Sequence, residues 1–325
     1  MSSMTQAPLF LKPVFHEKIW GGRHLASDFG YQIPAGPIGE CWAISGHHHG
    51  VSIVANGEFA GQDLATLYQS QPALFNYPQG DRFPLLTKIL DANAKLSVQV
   101  HPGDEYARTH EGELGKTECW YVLKAQPNAY LIYGHQAKSR AELAELIDAG
   151  QWDQLLGKLP VKTGDFVYVP SGTIHALTEG IEVLETQQSS DVTYRLYDYD
   201  RKGPDGKLRE LHLAPAKAVI TVPFVAPQLH QTTQTVGTST VTTLVAPPTS
   251  PYFTVQKVVV NGELPQQMGS QAFVLASVIA GYGELVVAGQ TYPLAKGQHF
   301  ILPHPVTDWT FRGQLTLITS VPDKY

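Results

Sequence analysis

The chain has 325 residues, 43% hydrophobic and 16% charged, with a formal net charge of −6. That content builds a sizeable core and excludes a disordered chain. No Lys/Arg block occurs, so neither nucleic acid nor an anionic membrane surface is an expected partner. An anionic ligand would need cations placed locally. No apolar run approaches the roughly 20 residues of a membrane helix. The start, MSSMTQAPLFL, lacks the basic lead and apolar core of a secretory signal. The two cysteines, Cys41 and Cys119, are far apart in a chain too long to need a staple. A reduced cytoplasmic protein is the simplest expectation.

Short apolar or alternating runs rich in Val, Ile, Tyr and Phe, separated by Gly, Pro and Asn, dominate the chain. They predict an all-β-dominated fold, an antiparallel sandwich or barrel. In chain order, Trp20-Gly21-Gly22-Arg23 lacks the Lys-Ser/Thr ending of a phosphate loop and reads as a turn that packs Trp20 near the first barrel. His47, His48 and His49 look like ligands. Consecutive positions do not face one point in regular structure, and Gly50 follows, so they read as a surface loop. Gly61–Phe75 reads as a helix that Pro72 must break or kink.

The strand Leu96–His101 alternates. Ser97, Gln99 and His101 share one face; Leu96, Val98 and Val100 share the other. Ser, Gln and His on one face are either wet or converge on something inside a barrel. In KTECWYV, Glu118 and Trp120 share a face, with Lys116 at its approach and Cys119 opposite. Ser139–Leu156 reads as a helical insertion, opening with Ser139 and Glu142 in a capping-box spacing. PSGTIH presents His175 after the turn at Gly172. Read as a strand, Asp191–Asp198 puts Asp191, Thr193, Arg195 and Tyr197 on one face. Leu211–Ile220 is a weaker helix, because Pro215 sits inside it.

Pro-rich stretches at Pro223–Pro227 and Pro247–Pro251 flank the run Gln228–Thr243, which suits an exposed strand better than a linker. The domain boundary is placed there, giving residues 1–225 and 226–325. A faint repeat links the halves: Lys162 to Leu177 resembles Ala295 to Phe311. Gly164 and Gly297 each precede a Pro (Pro170, Pro303) by the same spacing. Asp308 then stands where the first copy has His175. Two related barrels follow, the first with a metal site and the second without. His299 and His304 in the second half read as structural.

Gln99, His101, Glu118 and His175 together suit Zn²⁺ or another first-row ion, since imidazole and carboxylate are good ligands and an amide oxygen a weaker one. Each alone is more readily explained as hydrogen-bonded core. The pattern from Gly164 to His175, preceded by a His/Glu pair on earlier strands, resembles the metal signature of the cupin barrels.

PLFLKPVFHEKIWGGRHL, IGECWAIS, FPLLTKILDANAKLSVQVHP, GKTECWYVL, VPSGTIHAL and ETQQSSDVTYRLYDYDR resemble, in order, the type I mannose-6-phosphate isomerases in their short bacterial form. The match covers most of the first ~220 residues and weakens toward the C-terminus. The resemblance implies two cupin-like jelly-roll barrels and interconversion of mannose 6-phosphate and fructose 6-phosphate with one bound metal ion, usually zinc. It implies Gln99, His101, Glu118 and His175 as metal ligands and Arg195 as the active-site arginine. Lys116 is implied beside the glutamate ligand, Glu185 and Asp191 as acidic groups near the site, and Ser97 and Lys88 at the phosphate end. The large helical domain of longer members has no counterpart except the insertion near Ser139–Leu156, which leaves the closing wall of the pocket open.

Aldose–ketose isomerisation moves a proton between C1 and C2 through an enediol, whose negative charge a Lewis acid and a fixed cation stabilise. Glu185 and Asp191 rank equally as the proton carrier; Glu185 could instead hold Arg195, and Asp191 could cap a turn. The remaining alternatives are another metal-dependent cupin enzyme, whether a sugar-phosphate isomerase or an oxygen-using enzyme, and a non-catalytic sugar-phosphate sensor. The expected assembly is a monomer or weak homo-oligomer.

Overall fold

The computed structural model describes residues 6–323. The first five residues of the N-terminal stretch read above for a signal lie outside them. Three antiparallel sheets carry the fold. A six-stranded sheet runs in the order Phe166–Val169, Glu118–Ala125, Ile181–Gln188, Leu85–Ala92, Ile38–Ser45 and Val14–Gly22. A five-stranded sheet runs Tyr194–Tyr197, Val98–Val100, His175–Ala176, Tyr130–His135 and Leu156–Pro160. A nine-stranded sheet is built mainly from residues after 230, around the long strands Phe253–Gln267, Val274–Val287 and Asp308–Pro322.

Every residue of Ile38–Ser45, Leu85–Ala92 and Ile181–Gln188 is buried. A sheet covered on both faces explains it. On one face Ile44, Leu85, Cys119, Tyr121 and Leu184 pack with Phe253, Val255, Leu275 and Ile318 of the nine-stranded sheet. The opposite face, with Leu90, Trp120, Val122 and Val183, packs toward Leu131 of the five-stranded sheet and Leu177 beside it. The alternation expected around Glu118 is therefore present, with Cys119 turned away; both cysteines are free and buried.

The apolar back of the five-stranded sheet, Val98, Val100, Ile132 and Leu196, is covered by Leu143, Ile147, Leu155 and Ala216. These come from the helices Arg140–Asp148, Trp152–Leu155 and Leu213–Val219. Ser139 Oγ caps the first of them, accepting from Glu142 N at 3.2 Å. Glu142 in turn accepts from Lys138 N, one residue earlier than in the usual reciprocal box. The expected helix to Leu156 is split at Gly150, whose φ is +64°. Pro215 is tolerated because it falls in the first turn, where N–H groups have no intrahelical acceptor. Leu64–Ser70 ends before Pro72, and a short 3₁₀ turn continues to Phe75.

Gln228–Thr243 is not a linker: Thr232–Val236 and Ser239–Val245 form a hairpin. The two repeat copies share local geometry. Gly164 and Gly297 have φ of +94° and +90°, a conformation glycine adopts without steric cost. His175 is buried, whereas Asp308 is exposed. His299 is held by Tyr31 Oη at 2.6 Å and Ser277 Oγ at 2.9 Å, a structural role.

The N-terminal strand Leu9–Lys12 joins the far sheet, pairing Leu9 with Ile301 and Phe10 with Phe300. Trp20-Gly21-Gly22 is not a turn but the end of the strand Val14–Gly22. Gly21 is required there, since a Cβ would lie 2.4 Å from Gly39 N. Among the described residues no helix is long and apolar enough to cross a membrane.

Candidate active site and metal centre

Antiparallel register lines up the functional side chains. Across the six-stranded sheet, Trp42 pairs with Lys88, Lys88 with Glu185, and Glu185 with Trp120. Across the five-stranded sheet, Arg195 pairs with Gln99 and Gln99 with His175. Directly opposed residues share a face, so one cross-strand row from each sheet supplies much of the site.

Three donor groups converge between the sheets. His101 Nε2 lies 3.4 Å from Glu118 Oε2, His175 Nε2 lies 3.2 Å from Glu118 Oε1, and the two Nε2 atoms are 3.2 Å apart. All three side chains are essentially fully buried. His101 Nδ1 donates to Val192 O at 2.8 Å and His175 Nδ1 to Thr173 O at 2.9 Å. A carbonyl only accepts, so each Nδ1 carries the ring proton. Burial lowers both imidazoles, His101 to about 3. Both rings are neutral, and their Nε2 lone pairs face each other.

That arrangement fits a cation. Donors at about 2.0–2.1 Å from a tetrahedral ion sit about 3.3 Å apart, close to the three distances found. Glu118 Oε1 is buried with no hydrogen-bond partner, a costly state for a carboxylate oxygen unless a cation meets it. Although burial raises the Glu118 carboxyl, the Lys116 ammonium leads the causes that bring it well below the usual range. Gln99 borders the group, with Nε2 3.5 Å from His175 Nε2 and Oε1 3.5 Å from Ser97 Oγ. A half-turn of this amide would present its oxygen; the two orientations differ little in electron count and shape. Lys116 Nζ bonds Glu118 Oε2 at 2.7 Å and His101 Nε2 at 2.8 Å.

Above this group a cavity of about 300 Å³ is lined by Lys18, Trp20, Glu40, Lys88, Ser97, Gln99, Lys116, Glu185, Asp191, Thr193, Arg195 and Arg209, with Leu90 and Leu96. Five basic side chains and three carboxylates line it, with Lys116 also paired to Glu118 and Arg209 to Asp198, so cations are placed locally in a chain of net charge −6. Every sequence-predicted site residue lines the cavity or belongs to the buried group.

Four features of their surroundings bear on the sequence reading. Glu185 does not hold Arg195: its Oε2 accepts from Trp120 Nε1 at 2.7 Å and its Oε1 is 3.8 Å from Lys88 Nζ. Arg195 is instead positioned by Glu210 O, 2.8 Å from Nη1, and its Nε is buried without a partner. The strand is only Tyr194–Tyr197, so Asp191 reaches the cavity from a loop. The helical insertion covers the back of the five-stranded sheet rather than the cavity mouth. His47, His48 and His49 do converge, because they sit in a turn rather than regular structure, and His47 is buried.

The two rival carboxylates are driven apart. Burial, then the charge of Glu118, pushes Glu185 up to about 7. Burial would also raise Asp191, yet Lys88, Lys18 and Lys116 hold it at about 2. Lys88 sits between Glu40 and Glu185, 3.8 Å from each, and 4.7 Å from the centre of the Trp42 ring.

Lys18, Glu40, Trp42 and Arg209 were not singled out from the sequence. Glu40 accepts from Trp42 Nε1 at 2.7 Å and lies 3.3 Å from Lys18 Nζ. The available signal was an acid in the strand IGECWAIS, flanked on both sides by apolar residues.

The family model for the phosphomannose isomerase type I catalytic domain matches residues 9–138, and that for the mannose-6-phosphate isomerase cupin domain matches residues 242–322. The chain is 51% identical over 313 residues to the mannose-6-phosphate isomerase of Streptococcus mutans, spanning 96% of this chain and 98% of that one. It is 51% identical over 321 residues to the mannose-6-phosphate isomerase ManA of Bacillus subtilis, spanning 98% and 99%. The crystal structure of the mannose 6-phosphate isomerase from Bacillus subtilis superposes with a TM-score of 0.93 at 49% identity, over 97% of this chain and 99% of that one. On these grounds the chain belongs to the type I phosphomannose isomerase family.

Proposed function

We propose that this chain is an aldose–ketose isomerase that interconverts mannose 6-phosphate and fructose 6-phosphate, with one divalent ion held by His101, Glu118, His175 and Gln99. The observation that carries the metal site is the pair of unprotonated Nε2 atoms beside the unpartnered Glu118 oxygen. Zinc suits this nitrogen and oxygen set. When bound, it would supply Lewis-acid polarisation of a sugar oxygen where enediolate charge develops.

The chain's own groups account for the rest. Arg195 and Lys116 offer fixed positive charge to the developing oxyanion. Glu185 is the better proton carrier, because a base works best with a pKa near the operating pH; Asp191 stays ionised and helps orient substrate. Trp120 fixes the Glu185 carboxyl through its indole N–H. Ser97 and Lys88 serve the phosphate end, within reach of the same cationic field. A sensor would not need a buried base poised near neutrality beside the metal group.

The finer architecture follows the same reading. Residues 1–225 form a metal-binding jelly roll, in which the five- and six-stranded sheets face each other. Residues 226–325 form a second, metal-free one that borrows Leu9–Lys12. The free, buried cysteines suit a reducing compartment such as the cytoplasm, and a monomer or weak homo-oligomer is expected. Incubating the purified protein with mannose 6-phosphate and each of Zn²⁺, Mn²⁺, Co²⁺ and Mg²⁺ tests the activity. Fructose 6-phosphate should form with at least one of them; no turnover with any would overturn the proposal.

A further inference from the structure

A second histidine group lies at the edge of the cavity. After the strand Ile38–Ser45 the chain turns over His47–Gly50, closed by Gly50 N donating to His47 O at 2.9 Å. His47 Nδ1 accepts from His49 N at 3.2 Å, which folds the turn tightly. Adjacent side chains on a strand point to opposite faces; here they gather. Each of the three imidazoles has a nitrogen within 4.8 Å of the others, and the ring centres are 4.1 to 4.9 Å apart.

Two features point to a ligand. His47 is only 5% exposed, and its Nε2, which carries the ring proton while Nδ1 accepts, is buried with no hydrogen-bond partner; an ion at Nε2 would move that proton to Nδ1 and give up the 3.2 Å contact from His49 N. His49 Nδ1 lies 3.2 Å from Asp191 Oδ2; a carboxylate on that nitrogen leaves Nε2 as the ligand atom and is the usual outer partner of a metal-binding imidazole. Three imidazoles are a donor set for first-row divalent ions.

We propose that His47, His48 and His49 form a second metal-ion site at the cavity mouth, with Asp191 orienting His49. It shares no ligand with the His101–Glu118–His175 group. His48 and His49 are exposed and must be ordered on binding, so this site is the weaker of the two. An ion there would place positive charge near Asp191, one of three carboxylates facing the cavity, and through His49 would tie the turn to the loop carrying that residue. The site does not depend on the reaction assigned above.

The test uses the full chain without a histidine tag. Zn²⁺ is titrated calorimetrically into metal-stripped protein, and bound metal is counted by elemental analysis. A parallel Cu²⁺ titration is read by electron paramagnetic resonance. Wild type should bind two ions with separated affinities. His48→Ala and His49→Ala should each weaken the second ion by about tenfold or more, lose its nitrogen-coordinated Cu²⁺ signal and keep the first ion. His175→Ala should do the reverse. Both turn positions are exposed, so unchanged thermal melting serves as the folding control. A single ion in wild type would overturn the proposal. So would unchanged second-site affinity in either turn variant, or loss of the inner ion in His48→Ala.

Discussion

His101 Nε2 and His175 Nε2 face each other at 3.2 Å, each ring oriented by a main-chain carbonyl on its other nitrogen. Two lone pairs at that distance repel. The Lys116 ammonium meets only the His101 lone pair; a metal ion would relieve both, and the carbonyl partners fix the tautomers that would make both nitrogens ligands. His175→Ala should therefore lose stoichiometric Zn²⁺, with affinity falling more than the roughly 10–100-fold typical of removing an outer hydrogen-bond partner. Equilibrium dialysis against a zinc buffer measures it; retained stoichiometric zinc would remove His175 from the ligand set.

Arg195 acts on a different object. Its partners are Glu210 O and the anion expected at its free Nε, not the ligand group. Arg195→Ala should keep full metal content and lower kcat about 10²–10³-fold, the range for removing one oxyanion donor. Metal loss in this variant would show that Arg195 supports the centre instead.

As the proposed proton carrier, Glu185 would make turnover depend on pH. A base acts when deprotonated, so kcat/KM should rise as pH increases toward about 7. A bound ion offsets the charge of Glu118, which moves this limb somewhat lower, but burial keeps it above the usual carboxylate value. Glu185→Gln should keep the Trp120 hydrogen bond and cost about 10²–10⁴ in rate. An unchanged acid limb in Asp191→Asn and its loss in Glu185→Gln would separate the two carboxylates; the opposite pattern would reverse their roles.

The same shift has a stability consequence. The folded Glu185 carboxyl titrates above its ordinary 4.5, so the folded state binds the extra proton. Its favourable share is present below pH 4.5 and is lost as pH rises through about 7. Glu185→Gln should melt at a higher temperature than wild type above about pH 8 and converge with it in acid. A lower melting temperature at high pH would contradict the burial argument.

Leu9 tests the tie between the chain's two ends. It is 2% exposed and pairs with Ile301. Leu9→Ala should cost about 2–5 kcal/mol in denaturant unfolding, and residues 226–325 alone should fail to fold stably. A value near zero would show that the strand is dispensable.

Much of the inner site was legible because its signals are local. Ser97, Gln99 and His101 alternate within one strand, and Gly164 to His175 is one continuous pattern. Ser139 and Glu142 fall within a single turn. The rest depends on long-range register. Glu40 and Trp42 matter because their strand lies beside Lys88, which no local pattern reveals. Asp191 was placed on a strand by alternation, although the strand begins only at Tyr194. His47–His49 do lie in a turn, as the sequence suggests, but their convergence and the burial of His47 depend on how that turn folds against the strands. The choice between Glu185 and Asp191 needed the surrounding charges, which only the folded chain supplies.

The most direct test of the central claim is turnover of mannose 6-phosphate by protein stripped with a chelator, its residual metal verified by elemental analysis, then reloaded with one equivalent of Zn²⁺. The account predicts loss of activity on stripping and recovery on reloading. Turnover that persists at verified zero metal would contradict it.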